Sequence, residues 1–224
     1  MTAEDQEATR DDPLFEEIYS RAGDDLASIP WANLAPNSAL EQWLDTRPAP
    51  DTRPAPDTRP APNGAPALVV ACGLGDDAEE LARRGYRVTA FDISPTAIEL
   101  CRSRFPASTV GYLVADLFDL PAAWEESFDL TVEIRTLQSL PLELRKQAAT
   151  AIARTIAPAG WLFVRGAARK PDEPLRSRPW PLTREELDEF KNARLIEREF
   201  REEPPRDERF ATFTAVYQRP PSTT

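Results

Sequence analysis

Over residues 67–92 the chain reads ALVVACGLGDDAEELARRGYRVTAFD, an order of elements that few folds accept. Residues 68–71 are continuously apolar and run into a turn, the pattern of a parallel strand buried on both faces. Gly73 and Gly75 let the backbone bend tightly and approach a ligand with no Cβ in the way. A helix is predicted from about Asp76, burying Ala78, Leu81 and Ala82 and stopping near Gly85. Residues 87–91 supply a second strand, and Asp92 stands at its carboxyl end, where an acid can accept hydrogen bonds from both hydroxyls of a ribose. The stretch GLGDDA over residues 73–78 fits the G-x-G-x-x-G/A fingerprint of dinucleotide sites, so the bend alone leaves the ligand open.

The alternation continues downstream. Residues 109–115 form a third strand ending in Asp116, where a second acid can accept from an adenine amino group while Leu117 covers the ring. Residues 127–133, SFDLTVE, make a fourth strand that closes in Glu133. The helix after it carries Leu144, Ala148, Ala151, Ile152 and Thr155 and ends at the PAG of residues 158–160; residues 161–164 are a fifth strand. Further on, Thr183 and Glu186 have the spacing of a capping box. Residues 195–200 and 210–216 alternate apolar and polar side chains, as an antiparallel edge hairpin does.

This succession resembles the class I S-adenosylmethionine-dependent methyltransferases, over roughly residues 67–164. The matching elements are the CGLG turn, the acid after strand two, the AD after strand three, the FD strand, and a PAG where the family has PGG. The resemblance implies an α/β fold: a Rossmann-like seven-stranded sheet of order 3-2-1-4-5-7-6, strand seven antiparallel, with helices on both faces. It implies S-adenosyl-L-methionine as cofactor, with Asp92 on the ribose and Ile93 beside it. Asp116 and Leu117 take the adenine, the Cys72, Gly73 and Gly75 backbone the methionine end, and Glu133 faces the cofactor from strand four. A narrower resemblance, to thiopurine- and thiol-methyltransferase-like proteins, rests on IPWANLAPNSAL (residues 29–40) and on LQSLP followed by ELR (residues 137–145). In that family the early tryptophan packs over the cofactor, a role that falls here on Trp31. The usual acid–arginine pair after strand four stands here as Glu133 and Arg135, while Ala32, Leu34 and Ala35 depart from the family's PWDxGxP form.

At 224 residues the chain is long enough for one full domain and short for two. Residues 1–25 hold nine acids against two arginines and so carry −7 of the net charge of −11. Residues 1–12 read as an acidic disordered tail and 13–224 as a single domain, beginning with an amphipathic helix on Leu14, Phe15, Ile18 and Tyr19. Residues 45–66 form a proline-rich loop built on three tandem DTRPAP units, which block helix and sheet alike; an expanded surface linker is the plainer reading and partner docking the other. An acidic chain without basic clusters repels phosphate backbones, which argues against nucleic-acid binding. Two cysteines, Cys72 and Cys101, show no framework-disulfide placement, and no signal peptide or long apolar run is visible. A cytoplasmic monomer acting off the membrane on a small-molecule acceptor is the expectation.

The chain has no histidine, so the commonest general base and metal ligand is missing, and no metal site is expected. A thiol, with an unperturbed pKa of about 8.5, needs only modest help to ionise, whereas an alcohol needs a strong base or a metal. Sulfur or another soft nucleophile is therefore favoured as acceptor. Glu133 or Asp25 could take the proton, and Arg135 or Arg169 could stabilise the anion. The plainer reading makes these acids structural and these arginines surface charges. An NAD-type oxidoreductase is the rival reading, disfavoured because Asp116 and the fourth strand have no role in it; a non-catalytic cofactor-binding scaffold is the other.

Overall fold

The computed structural model describes residues 13–46, 63–175, 178–205 and 210–222. The acidic stretch 1–12 and most of the DTRPAP repeat lie outside the described residues. Two helices precede the sheet, α1 (Leu14–Ala22) and α2 (Ser38–Asp45). Five strands then alternate with helices: β1 (Pro66–Val70), α3 (Asp76–Arg83), β2 (Arg87–Asp92), α4 (Pro95–Arg104), β3 (Gly111–Val114), β4 (Phe128–Ile134), α5 (Leu142–Arg154) and β5 (Ile156–Ala168). Two single-turn helices, α6 (Arg184–Leu187) and α7 (Glu189–Asn192), lead into the hairpin β6 (Ile196–Glu203) and β7 (Ala211–Gln218).

The seven strands form one sheet of order β3-β2-β1-β4-β5-β7-β6, parallel except for β7, which runs antiparallel to both neighbours. This is the expected order. β1 shows why its sequence is apolar throughout. Leu68 and Val70 point into a core shared with α5 and the α6–α7 turn, while Ala67 and Val69 point into a second core under α2, α3 and α4. Helices cover both faces, so residues 67–70 are all buried. Trp43 of α2 closes the second core against Trp161 and Phe163 of β5, at ring separations of 6.3 and 5.4 Å.

Two local predictions are revised. The fifth strand is longer than residues 161–164 and contains the PAG instead of following it. Phe128 pairs with Ile156 but Leu130 pairs with Trp161, so the intervening residues bulge outward. Ala159 takes a left-handed φ of +63°, and its carbonyl receives the Gln218 amide at 3.2 Å. The end of β7 thus holds the bulge in the sheet. The edge strand β6 is largely exposed on both faces, and its regular alternation buries little. The capping box is present, Glu186 N–H donating to Thr183 Oγ1 and Thr183 N–H to Glu186 Oε2. It starts a single helical turn.

Candidate active site

The crevice opens where the strand order reverses, at the carboxyl ends of β1 and β4. Val70 pairs with Phe91 on one side and Glu133 on the other, which sets Asp92 and Glu133 on either flank of the bend that follows β1. That bend passes through positive φ at Ala71, Gly73 and Gly75. It is pinned from below: Cys72 N–H donates to Phe91 O at 2.8 Å, and Gly75 N–H to Cys72 O at 3.0 Å.

Asp92 is the hub. Its Oδ2 accepts the Gly73 N–H at 2.9 Å and its Oδ1 the Ser94 N–H at 3.0 Å. The Ile93 amide is a third backbone donor to this carboxylate, which has about four lone-pair positions, so acceptor capacity remains for a hydroxyl. Burial raises its pKa to about 6, against which these backbone donors work. The neighbouring Ala115 N–H donates to Asp92 O at 3.1 Å and ties the end of β3 to this rim. Asp116 follows at once, half-buried, its Oδ1 accepting from Phe118 N–H at 2.8 Å. Ile93, 46% exposed, presents an apolar face beside Asp92. Leu117 does not: its side chain is buried in the core with Val70 and Phe91, because the turn that Asp116 caps directs it under the sheet rim.

The two glycines serve different ends. A Cβ on Gly75 would stand 2.6 Å from Tyr112 Oη and 3.0 Å from Cys101 Sγ, so the space is filled by protein and not kept for a ligand. Gly73 instead faces the mouth, where Tyr19 Oη would lie 3.2 Å from its Cβ. Tyr19 belongs to α1 and accepts a hydrogen bond from Trp31 Nε1 at 2.9 Å, and both rings pack edge-on at 5.6 Å. Trp31 is therefore brought over the bend through Tyr19. The two cysteines, distant in sequence, also meet here: the thiols of Cys72 and Cys101 hydrogen-bond, and Cys101 Sγ lies 3.1 Å from Gly73 O. That contact, and burial after it, keep the Cys72 thiol protonated well above its ordinary range.

On the β4 flank, Glu133 is 1% exposed. Its Oε1 accepts the Thr136 and Leu137 N–H groups at 2.6 and 3.0 Å, while Oε2 has no hydrogen-bond partner among the described residues. Burial lifts its pKa to about 7, with the Leu137 and Thr136 amides and the Thr136 hydroxyl pulling the other way. Arg135, two residues on, takes a left-handed φ of +67° and its charge is felt at Asp77, at the start of α3. Asp77 is itself pushed up to about 6 by burial, although it accepts the Asn37 N–H at 2.7 Å. The other two polar candidates lie elsewhere. Arg169 donates to Pro181 O and Glu186 Oε2, within a buried network that Arg145 completes through Glu186, Trp180 O and Leu140 O. Asp25 is exposed on a surface turn, where its carbonyl receives the Ser28 hydroxyl.

This set suits an adenosyl sulfonium. It offers a carboxylate with spare acceptor capacity for a ribose, an exposed isoleucine beside it, a glycine bend under the Tyr19 hydroxyl, and one orphaned carboxylate oxygen on the β4 flank. Among the described residues, no cluster of three or more acids and cysteines could hold a metal ion. Nor, among them, is any helix long and apolar enough to cross a membrane.

Comparison with known proteins agrees. The [4+2]-cyclase SpnF superposes with a TM-score of 0.71 over 95% of this chain and 96% of its own, at 16% identity. A TehB-like S-adenosylmethionine-dependent methyltransferase from Corynebacterium glutamicum superposes with a TM-score of 0.63 over 92% and 99%, at 20% identity. These likenesses establish the fold, which a methyltransferase and a cyclase share. Residues 68–164 match the family described as a methyltransferase domain. Residues 68–164 are thus similar to a methyltransferase domain, and S-adenosylmethionine is the cofactor of the methyltransferases that this stretch resembles. A ubiquinone biosynthesis O-methyltransferase of Xanthomonas campestris is 35% identical over 106 residues, which are 46% of this chain. The match spans 44% of that relative's length.

Proposed function

We propose that this chain transfers a methyl group from S-adenosylmethionine to a small-molecule acceptor, a thiol or similarly soft nucleophile. When bound, the cofactor supplies an electrophilic methyl carbon. Asp92 holds the ribose through its remaining acceptor capacity, with Ile93 and Asp116 along the adenine side. The backbone of Cys72 and Gly73 and the first turn of α3 receive the methionine end, near Arg135 and Asp77. Tyr19 and Trp31 shut out water.

The observation that carries the acceptor assignment is Glu133, whose orphaned Oε2 and pKa of about 7 make it the proton acceptor in a chain without histidine. Taking a proton from a thiol of pKa about 8.5 costs this carboxylate about 2 kcal/mol, and from a phenol of pKa about 10 about 4 kcal/mol. An alcohol close to water, near 15.7, would cost about 12 kcal/mol. Thiols come first, phenols second. The phenol is the second reading, favoured by the O-methyltransferase relative. The match of residues 68–164 to a methyltransferase domain leaves the NAD-type reading without support.

The experiment is turnover with methyl-labelled donor against matched aryl thiols and phenols, beside calorimetric titration with S-adenosylhomocysteine and NAD. Faster turnover of thiols is expected. Turnover of phenols alone would overturn the thiol assignment, and tight product binding without any turnover would leave the non-catalytic scaffold as the reading.

A further inference from the structure

A ligand lying on the Gly73 bend is covered by Tyr19, which is 2% exposed, and through it by Trp31. Release therefore requires α1 to lift. What holds α1 down is not its own helical stability. Nine residues without a side-chain N-cap do not make a stable helix in water. Besides the apolar contacts of Tyr19, Ile18 and Phe15, the Arg178 guanidinium 5.3 Å from the Phe15 ring and a Ser20–Thr96 hydroxyl contact at 3.3 Å, the charged group that anchors it on the sheet domain is the Glu16 carboxylate. Glu16 Oε2 accepts the Ser94 hydroxyl at 2.5 Å and the Thr96 N–H at 3.3 Å, and Oε1 accepts the Thr96 hydroxyl at 2.5 Å. These donors form the first turn of α4, immediately after Asp92.

Ser94 is completely buried, and each of its polar functions is committed. Its N–H goes to Asp92 Oδ1 at 3.0 Å, its hydroxyl hydrogen to Glu16, and its Oγ accepts the Ala97 N–H at 2.9 Å. One serine thus stands between two carboxylates, and the negative charge of Glu16 is felt at Asp92. Two like charges sharing a buried serine repel. Hydroxyls donated to Asp92 by a ribose spread its charge and relieve that repulsion, so Glu16 is held more firmly when the ribose is in place.

We propose that Glu16 and Ser94 are positioning residues that form a latch, coupling occupancy of the Asp92 carboxylate to closure of α1 over the bound cofactor. The proposal rests on Asp92 holding the ribose, as in the reading above. Its mark is kinetic: the latch sets how slowly the bound molecule leaves, not how fast it arrives.

The test is the dissociation rate of S-adenosylhomocysteine, by stopped-flow chase, from the full-length wild type, Glu16→Gln and Thr96→Val, with thermal midpoints of the ligand-free proteins alongside. Glu16→Gln should leave about tenfold to a hundredfold faster, the range set by loss of a charge-assisted hydrogen bond. Thr96→Val, which spares Ser94 and Asp92, removes the hydroxyl bond to Glu16 and the Ser20 contact and should be faster by about threefold to tenfold. Association rates should stay within about twofold. Should Glu16→Gln fail to fold, Thr96→Val carries the test. No binding by the wild type refutes the cofactor reading and the latch with it. Binding with unaltered dissociation in the variants, or acceleration matched by an equal loss of ligand-free stability, refutes the latch alone.

Discussion

Glu133→Gln separates a functional carboxylate from a structural one, because the two predict opposite signs for its effect on stability. The glutamate has a pKa of about 7 in the folded protein against an ordinary 4.5. The folded state therefore holds this proton more tightly than the unfolded chain does. The wild type's stability is undiminished by this group below about pH 4.5 and is lost as pH rises through about 7. The loss amounts to about 3 kcal/mol. Glutamine carries no charge to bury, and its Oε1 can still accept the Thr136 and Leu137 amides. Its NH₂ group replaces an oxygen that already lacks a partner among the described residues, so little changes there. The variant should accordingly be more stable than the wild type by about 2–3 kcal/mol at pH 8, and equal to it near pH 4. In a chain of 224 residues this is a rise in Tm of about 4–12 °C at the higher pH. Asp92 and Asp77 are also pushed up to about 6, but they are common to both proteins and cancel in the difference. Thermal melts from pH 4 to 8 make the measurement, with turnover on the best acceptor beside it. Turnover should fall by about a hundredfold or more if Glu133 takes the proton, with S-adenosylhomocysteine affinity preserved. A glutamine variant less stable at pH 8, or shifted equally at every pH, would refute the reasoning.

The other predictions concern the rim and its supports. Asp92→Asn should weaken S-adenosylhomocysteine binding about a hundredfold, and wild-type affinity, by calorimetry between pH 5 and 8, should fall as pH drops through about 6; a flat profile would exclude Asp92 as a ribose acceptor. Gly75→Ala combines a φ of +88° with a Cβ 2.6 Å from Tyr112 Oη, and should cost about 2–4 kcal/mol in chemical denaturation. Arg145→Ala removes the buried partner of Glu186 along with the bonds to Trp180 O and Leu140 O, and should cost about 3–5 kcal/mol in the same assay. Deleting residues 51–62, two DTRPAP units, leaves the Asp45–Arg84 ion pair and the Gly64–Gly85 backbone bond in place; methyl transfer should continue at the wild-type rate.

The strand order and the Asp92 rim were legible because their signals are local. A continuous apolar run, a glycine bend and an acid at a strand end lie within 26 residues, and each has one physical reading. The position of Asp116 just after the third strand was legible for the same reason. Leu117 was not, since its direction depends on the turn made by the Asp116 side chain and on the core waiting beneath. The roles of Gly73 and Gly75 look identical in sequence and diverge only through Tyr19 and Tyr112, which arrive from α1 and β3. Nothing local marks Glu186 as the partner of Arg169, since the carboxylate that completes the capping box also accepts the Arg169 guanidinium, from 17 residues away.

What the sequence hid most completely is the chain of contacts from α1 to the cofactor rim. Glu16 and Ser94 are separated by 78 residues, and nothing about a glutamate in an acidic stretch marks it out from its neighbours. A surface carboxylate is ordinarily solvated and worth little. Here the fold brings it to the first turn of α4, where a buried serine hydroxyl and a threonine converge on it while the serine amide holds Asp92. The acidity of the N-terminal region therefore has two components. Glu16 is a docked charge whose removal alters kinetics at a site that it does not touch. Glu17, its exposed neighbour, should tolerate Glu17→Gln without any change in ligand dissociation. If both substitutions changed that rate alike, the effect would belong to the net charge of the segment, and the specific path through Ser94 would be wrong.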